Sequence, residues 1–224
     1  MFDFAAHGLI ESSFKLPLPG NGPQTIGALL GAQLSKAPDN LALVGRSGRY
    51  SYADLDEQVA KAATALHELG ITKYDRVAAC LPNDVDIIIA FLACARLGAI
   101  WVGVNRPLAP PEKAFLLGDS GAVLYLSDRA GIAELKPHRE GLVALRHLLM
   151  VDANQDPDSW IQRVDAADPS ACPEVETDSF EPAAIAYTSG TTGRPKGAVH
   201  SHHNILLPGA IQVFEGNYGP DCHQ

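Results

Sequence analysis

Hydrophobic residues along this chain alternate between two spacings. Short continuous apolar runs, typical of strands buried on both faces, occupy residues 76–81, 99–104, 122–127, 148–151 and 183–189. Between these runs, apolar residues recur at steps of three and four, which is the spacing of a helix with one buried face. Strands that alternate with helices predict an α/β fold with a mostly parallel sheet flanked by helices.

Capping residues predict where several helices begin. Ser51 and Asp54 have the spacing of a capping box, so we expect a long helix to follow them. Asn83 is the predicted cap of the next helix, and Thr25 is the predicted cap of an earlier helix over residues 26–34. These signals predict that regular structure starts at about residue 25.

Changes in composition predict four segments. Residues 1–24 are rich in Gly and Pro and predict an extended lead-in, and residues 25–151 form the predicted α/β subdomain. Residues 152–182 are acidic and Pro-rich, which indicates a connector with one short helix around Trp160. Residues 183–224 are predicted to hold a strand, a phosphate-binding loop and the truncated start of a helix.

Composition and charge narrow the classes of partner. The chain has 224 residues, of which 46% are hydrophobic and 19% charged, as in a globular protein with a buried core. Its 17 Lys and Arg against 26 Asp and Glu give a net charge of −9. Nucleic acid is therefore not an expected partner, because phosphate backbones require many cationic side chains. A small anion held by one local loop remains compatible with this charge.

Cysteine usage and the N-terminus predict a compartment. None of the four cysteines is in a CxxC spacing, and Cys80 and Cys94 lie in apolar runs, where we expect them to be buried. The first residues show no basic stretch ahead of an apolar one, so no secretory signal is predicted. A cytoplasmic, reduced protein is expected.

One stretch imitates a membrane span. Residues 84–104 are strongly apolar, but Asp86, Arg96 and Gly98 interrupt them. A helix followed by a buried strand explains this pattern better than a membrane span.

The stretch YTSGTTGRPKG at 187–197 carries the candidate chemistry. Its glycines allow backbone N–H groups to converge on an anion, its hydroxyl groups add donors, and a lysine adds a mobile positive charge. These are the features that a polyphosphate requires. The residues that we expect to bind it are Thr188, Ser189, Gly190, Thr191, Thr192, Gly193 and Lys196.

Two common nucleotide loops do not fit this stretch. A Walker A loop requires Gly directly before the Lys and Ser or Thr directly after it, whereas Pro195 precedes Lys196 and Gly197 follows it. The segment after Gly197 has the pattern of a strand, and no GxGxxG is present. A Gly-rich surface turn without a ligand is the remaining alternative.

The stretch resembles the signature loop of the adenylate-forming superfamily, which includes acyl-CoA synthetases, aryl-CoA ligases, luciferases and peptide-synthetase adenylation domains. Three other stretches resemble the family in the same order: YSYADLDEQVAKAATAL, ARLGAIWVGVNRPL and, after the loop, HSHHNI. The resemblance covers roughly residues 25–205 and is highly specific only at the loop. It implies the N-terminal part of such an enzyme's large domain.

The resemblance implies a two-step reaction. A carboxylate attacks the α-phosphate of Mg-ATP to give an acyl-adenylate and pyrophosphate, and a thiol, usually coenzyme A, then takes the acyl group. In this family the loop holds the β- and γ-phosphates, a role that falls to the seven residues given above. HSHHN favours coenzyme A over a carrier protein, while fatty, aromatic and dicarboxylic acids all stay open as substrates.

Several parts of the family's active site have no counterpart in these 224 residues. They are the adenine-binding Tyr-Gly-x-Thr-Glu segment with its magnesium-binding Glu, the ribose-binding Asp, and the small C-terminal domain with its catalytic Lys. We therefore expect less than half of a complete enzyme, no catalytic residue in this chain and no adenylate synthesis by it alone. Apolar residues from Ile205 onward are expected to be exposed and to favour self-association.

Other interpretations remain open. His200, His202 and His203 have no acidic or cysteine partner nearby in the sequence, so no metal site is predicted. We expect His202 to pack or to cap beside the loop, or to border the substrate side. A non-catalytic module that binds a nucleotide or a partner is one alternative function. A small ATPase with a convergent loop is another.

Overall fold

Eight strands and seven α-helices make up the described part of the chain. The computed structural model describes residues 17–46, 48–152, 156–188 and 194–216. The strands are β1 (Leu41–Gly45), β2 (Gly48–Ser51), β3 (Arg76–Cys80), β4 (Ile100–Gly103), β5 (Leu124–Ser127), β6 (His147–Met150), β7 (Pro182–Thr188) and β8 (Lys196–Ser201). The helices are α1 (Gly31–Lys36), α2 (Tyr52–Glu68), α3 (Val85–Arg96), α4 (Pro110–Ser120), α5 (Arg129–Leu135), α6 (Trp160–Ala166) and α7 (His202–Phe214). Three short 3₁₀ helices span Ile26–Ala28, Lys136–Gly141 and Pro169–Ala171.

The principal sheet has six strands in the order β6-β5-β3-β4-β7-β8. All neighbouring pairs are parallel except β7 and β8, which pair antiparallel. A separate hairpin joins β1 and β2. The predicted α/β fold with a mostly parallel sheet is confirmed, and each predicted apolar run lies on a strand of this sheet.

Helices cover both faces of the sheet. On one face, residues of α2, α3 and α6 pack with alternate residues of β3, such as Val77 and Ala79. On the other face, Leu116 of α4 and Leu135 of α5 pack with Ala78. The alternation along β3 divides the core into two layers, as expected for a strand that is buried on both sides.

The start of α2 follows the sequence prediction. The Ser51 hydroxyl accepts a hydrogen bond from the Asp54 N–H at 3.1 Å, and Asp54 Oδ2 accepts one from the Ser51 N–H at 2.9 Å. This reciprocal capping box satisfies two backbone donors that the helix itself leaves without partners. Ser51 also ends β2, so the hairpin and the helix are joined without a loop.

The predicted cap of α3 is wrong by one residue. Asp84, not Asn83, is the N-cap, and its carboxylate accepts hydrogen bonds from the N–H groups of Val85 at 2.8 Å and Arg46 at 3.0 Å. The second bond ties the cap to the turn of the β1–β2 hairpin. Since both residue types cap helices well, only this distant partner distinguishes them.

The predicted helix after Thr25 is also wrong. Residues Ile26–Ala28 form a 3₁₀ helix and α1 begins only at Gly31, while the Thr25 side chain makes no capping hydrogen bond. A Cβ added at Gly27 would lie 3.0 Å from the carbonyl oxygen of Ala95, so the backbone approaches α3 closely there. Gly27 and Gly31 lower the helix propensity of this segment, and the close contact fixes its backbone against α3. A continuous helix therefore does not form.

The stretch at 84–104 forms α3 and then β4, as predicted. No helix in the described ranges is both long and apolar enough to cross a membrane. The predicted short helix near Trp160 is α6, and the Trp160 side chain is fully buried against the layer that contains α2.

Candidate phosphate-binding site

The two described ends of the stretch at 187–197 lie at the carboxyl edge of the parallel strands. β7 runs parallel to β4, and β8 returns antiparallel to β7, so the end of β7 and the start of β8 lie at the edge where β3 and β4 also end. We call β7 and β8 the stem of the loop. Ligands of open α/β sheets bind at this edge.

The two ends of the predicted site are described and its centre is not. Thr188 ends β7, Lys196 begins β8, and the two form a register pair of the stem. Both residues are exposed. Ser189, Gly190, Thr191, Thr192 and Gly193 lie outside the described residues. The structure therefore brings together Thr188 and Lys196 at the mouth of the loop.

Gly197 has a different role from the one that its sequence suggests. It lies within β8 opposite Tyr187, and its φ is not in the left-handed region. A Cβ added there would lie 2.9 Å from Cγ2 of Ile185 and 3.0 Å from Cζ of the Tyr187 ring. Gly197 thus provides space for a neighbouring aromatic ring rather than an unusual backbone angle.

Tyr187 is held by helix α4. Its hydroxyl donates a hydrogen bond to Oδ2 of Asp119 at 2.7 Å. Burial, followed by this bond to the carboxylate, raises the pKa of Tyr187 well above its ordinary value. The phenol therefore stays protonated and acts as the donor.

Arg194 approaches the same helix from the other side of the loop. Its Cζ lies 6.0 Å from the ring centroid of Phe115, within the range of a cation–π contact. Phe115 is half-buried and packs on the layer that contains α4 and α5. Arg194 is exposed and lies two residues before β8.

A crevice of about 760 Å³ opens beside the stem. The chain leaves β3 toward α3 on one face and leaves β4 toward α4 on the other, and this divergence creates the space. Leu81, Trp101 and Ile185 contribute apolar surface, and Arg46 and Arg106 stand among its polar residues.

Both guanidinium groups of the crevice have carboxylate partners. Arg46 Nε lies 3.6 Å from Asp84 Oδ2, and Arg106 Nη2 lies 3.3 Å from Asp128 Oδ2. Exposed pairs of this kind contribute about 0–1 kcal/mol, so an anionic ligand could compete for either cation. Apolar walls with cations suit an anion that has an apolar body.

His202 anchors the chain just after the stem. It is fully buried at the start of α7, and its Nδ1 accepts a hydrogen bond from the Ile26 N–H at 3.2 Å. Burial lowers the pKa of His202, so the neutral ring is favoured. Nε2 has no hydrogen-bond partner among the described residues. The prediction that His202 packs is confirmed, and its partner is 176 residues away in sequence.

His203, the next residue, packs against an aromatic ring. Its ring stacks on Phe180, with centroids 4.7 Å apart and planes 18° apart. No group of three metal-ligating side chains occurs within the ranges that the structure describes. Cys80 and Cys94 are buried free thiols, as predicted.

Sequence reasoning missed Asp119 and Phe115. Asp119 lies in the last turn of α4, where the negative end of the helix dipole disfavours a carboxylate. This unfavourable position could have been noticed in the sequence, because a carboxylate at the C-terminal end of a helix suggests a hydrogen-bond donor from another element. Phe115 carried no comparable signal.

Comparisons with known proteins agree with the geometry. The family described as AMP-binding enzyme matches residues 30–219. The chain is 34% identical over 182 residues to a crotonobetaine/carnitine–CoA ligase of Escherichia coli O17:K52:H18 (strain UMN026), covering 76% of this chain and 34% of the relative. It is 35% identical over 196 residues to the long-chain-fatty-acid–CoA ligase FadD13 of Mycobacterium tuberculosis (strain CDC 1551), covering 81% and 36%.

Solved structures show the same fold. The N-terminal domain of FACL13 from Mycobacterium tuberculosis, with an inhibitor bound, superposes with a TM-score of 0.72 at 33% identity, covering 80% of this chain and 44% of that one. Apo MatB from Rhodopseudomonas palustris superposes with a TM-score of 0.77 at 26% identity, covering 88% of this chain and 38% of that one. The chain spans about a third of the length of the curated relatives reported above.

Proposed function

Since this chain belongs to the AMP-binding enzyme family, we propose that it supplies the phosphate-binding part of the ATP site in an acyl- or aryl-CoA ligase. The complete ligase would activate a carboxylate as an acyl-adenylate and transfer the acyl group to coenzyme A. The chain alone would not carry out this reaction. Its contribution is to hold and orient the β- and γ-phosphates.

The observation that carries this proposal is the position of the stem. Thr188 and Lys196 form a pair at the carboxyl edge of the sheet, so a hydroxyl and an ammonium group stand at the mouth of one loop. The hydroxyl and N–H groups of 189–193 complete the donor set that the sequence predicts. Together they would stabilise charge that develops on departing pyrophosphate.

The residues present suit the phosphates of Mg-ATP better than the metal itself. The loop offers neutral donors and one cation, and such groups bind phosphate oxygens. Magnesium, when bound, would neutralise phosphate charge and would reach this site with the nucleotide. In the proposal Lys196 follows the phosphate oxygens and Thr188 donates a hydrogen bond to them.

The relatives support a carboxylate substrate and coenzyme A as the acceptor. Their names specify crotonobetaine or carnitine in one case and long-chain fatty acids in the other. The crevice beside the stem, with apolar walls and two guanidinium groups, is compatible with a carboxylate that has an apolar body. We propose that the substrate is a carboxylic acid with an apolar body.

A chimera tests the proposed function. This chain replaces the matching N-terminal part of the crotonobetaine/carnitine–CoA ligase, and ATP–pyrophosphate exchange is measured with and without carboxylate. We expect carboxylate-dependent exchange that Lys196→Ala lowers by at least about tenfold, because a charge-assisted hydrogen bond contributes about 1.5–3 kcal/mol.

Lys36→Ala is the matched control, since Lys36 is exposed at the end of α1 and distant in sequence from the loop. It should leave the exchange rate unchanged. A folded chimera without exchange, or exchange that is equal in the Lys196 and Lys36 variants, would contradict the proposal. ATP hydrolysis by the isolated chain without a carboxylate would favour the small-ATPase alternative.

A further inference from the structure

We propose that helix α4 positions the phosphate-binding loop, with Asp119 holding one strand of the stem and Phe115 holding the other side. We call the Tyr187–Asp119 hydrogen bond and the Arg194–Phe115 contact the α4 anchor. The role in positioning rests on the proposed function, since it assumes that the loop binds phosphates. The anchor itself is a feature of the described residues.

The two contacts flank the loop in sequence. Tyr187 is the last residue but one of β7, and Arg194 lies two residues before β8, so residues 189–193 lie between them in sequence. Asp119 and Phe115 are four residues apart on α4 and therefore lie on the same face of the helix. One rigid element thus contacts the chain both before and after the loop.

The chemistry of each contact suits a semi-exposed position. A phenol that donates to a carboxylate at 2.7 Å makes a charge-assisted hydrogen bond. A guanidinium above an aromatic ring keeps its other donors available to solvent or to a ligand. Asp119 lies at the unfavourable end of the helix dipole, so α4 gains nothing from this carboxylate by itself.

The stem needs such support because it lies at the border of the sheet. Among the described strands, β8 pairs with β7 alone. Gly197, opposite Tyr187, adds no side chain that could stiffen β8. Without the α4 anchor, the N-terminal end of β8 would be held by its ladder to β7 and by little else in the described residues.

Fixing the stem should increase affinity for a polyphosphate. A loop that samples several conformations binds with an apparent affinity reduced by the fraction of time it spends in the competent one. Contacts that restrain both ends raise that fraction before the ligand arrives. Asp119 and Phe115 are therefore assigned as positioning residues that act through Tyr187 and Arg194.

The test uses the 224-residue chain with Asp119→Ala and Phe115→Leu. Tyr74→Phe is the matched control, because the Tyr74 hydroxyl donates to Glu181 at 2.6 Å, a bond of the same kind away from the loop. Two quantities are measured for each variant: the hydrogen-exchange rate of peptides covering 187–197, and the dissociation constant of inorganic tripolyphosphate by calorimetry.

We expect both α4 variants to exchange faster in 187–197 and to bind tripolyphosphate roughly two- to tenfold more weakly, which is the effect of one lost hydrogen bond for Asp119→Ala and of one lost exposed cation–π contact for Phe115→Leu. Tyr187→Phe should reproduce Asp119→Ala, and the combination of the two should add little. Tyr74→Phe should change neither quantity at the loop.

Unchanged exchange in both α4 variants would overturn the proposal, as would an equal increase in Tyr74→Phe. Faster exchange with unchanged tripolyphosphate affinity would also overturn it, because the contacts would then be structural only. If wild type binds no tripolyphosphate, the proposed function fails and the positioning role fails with it. A third outcome would contradict the positioning role alone. In that outcome Lys196→Ala lowers the affinity for tripolyphosphate, but both α4 variants bind it as tightly as wild type.

Discussion

Gly197→Ala tests whether this glycine is required for space or for its backbone angle. The added Cβ would meet Cγ2 of Ile185 at 2.9 Å and Cζ of Tyr187 at 3.0 Å, both closer than Cβ atoms normally approach. The ring cannot turn away freely, because its hydroxyl is bonded to Asp119. Either the ring or β8 must shift.

The expected magnitude is the difference of two effects. Overpacking costs about 1–3 kcal/mol in a core, and the exposed position of Gly197 favours the lower end of that range. Replacing Gly by Ala at an angle that Ala tolerates recovers about 0.4–1 kcal/mol, because the unfolded chain loses freedom. The net loss should be about 1 kcal/mol, which lowers Tm by about 2–4 °C for a chain of this size.

Thermal unfolding followed by circular dichroism measures this change, and Gly209→Ala is the control. Gly209 lies within α7, and a Cβ there would meet nothing within 4 Å. Its replacement should raise stability by up to about 1 kcal/mol, the difference in helix propensity. A Gly197→Ala chain as stable as wild type, or stabilised like Gly209→Ala, would refute the steric explanation.

Two further predictions concern pH and association. Burial lowers the pKa of His202 below 6.5, so the unfolded chain binds the proton first and the free energy of unfolding should fall as pH drops below about 6.5. His202→Asn keeps an acceptor for the Ile26 N–H and should make this decline less steep near pH 6, where His147, whose pKa burial also lowers, contributes equally in both chains. Equal slopes in the two chains would contradict the prediction. The exposed Val213 and Phe214 should drive self-association at high concentration, which the double Ser variant should abolish in sedimentation experiments; a monomeric wild type would count against this.

Much of the fold was predictable because it depends on local patterns. The strands β3 to β7 are continuous apolar runs, and the capping box at Ser51 needs only residues three apart. Patterns of this kind reflect burial and backbone geometry within a few residues, and both are visible in one segment at a time.

The two wrong helix predictions arose where contacts between residues distant in sequence determine the local structure. Asp84 became the cap of α3 because its carboxylate also accepts from Arg46, 38 residues earlier. The helix after Thr25 was interrupted where Gly27 meets the backbone of Ala95. Neither contact has a signal in the local sequence.

The candidate site shows the same division. Lys196 and its hydroxyl neighbours could be predicted as phosphate ligands from residue types, because phosphate binding requires a recognisable set of donors; this assignment stays a prediction. The role of Gly197 was misjudged, since only the register of β8 against β7 puts it opposite an aromatic ring. Asp119 reaches that ring across 68 residues of sequence.

Calorimetric titration of the 224-residue chain with inorganic tripolyphosphate tests the central claim most directly. The account predicts weak binding, with a Kd on the order of a millimolar or about −4 kcal/mol. Lys196→Ala should weaken it by at least about tenfold, whereas Lys36→Ala, which removes the same charge elsewhere, should leave it unchanged. Equal affinities in the two lysine variants would contradict the account, because the loop would then not be the phosphate site.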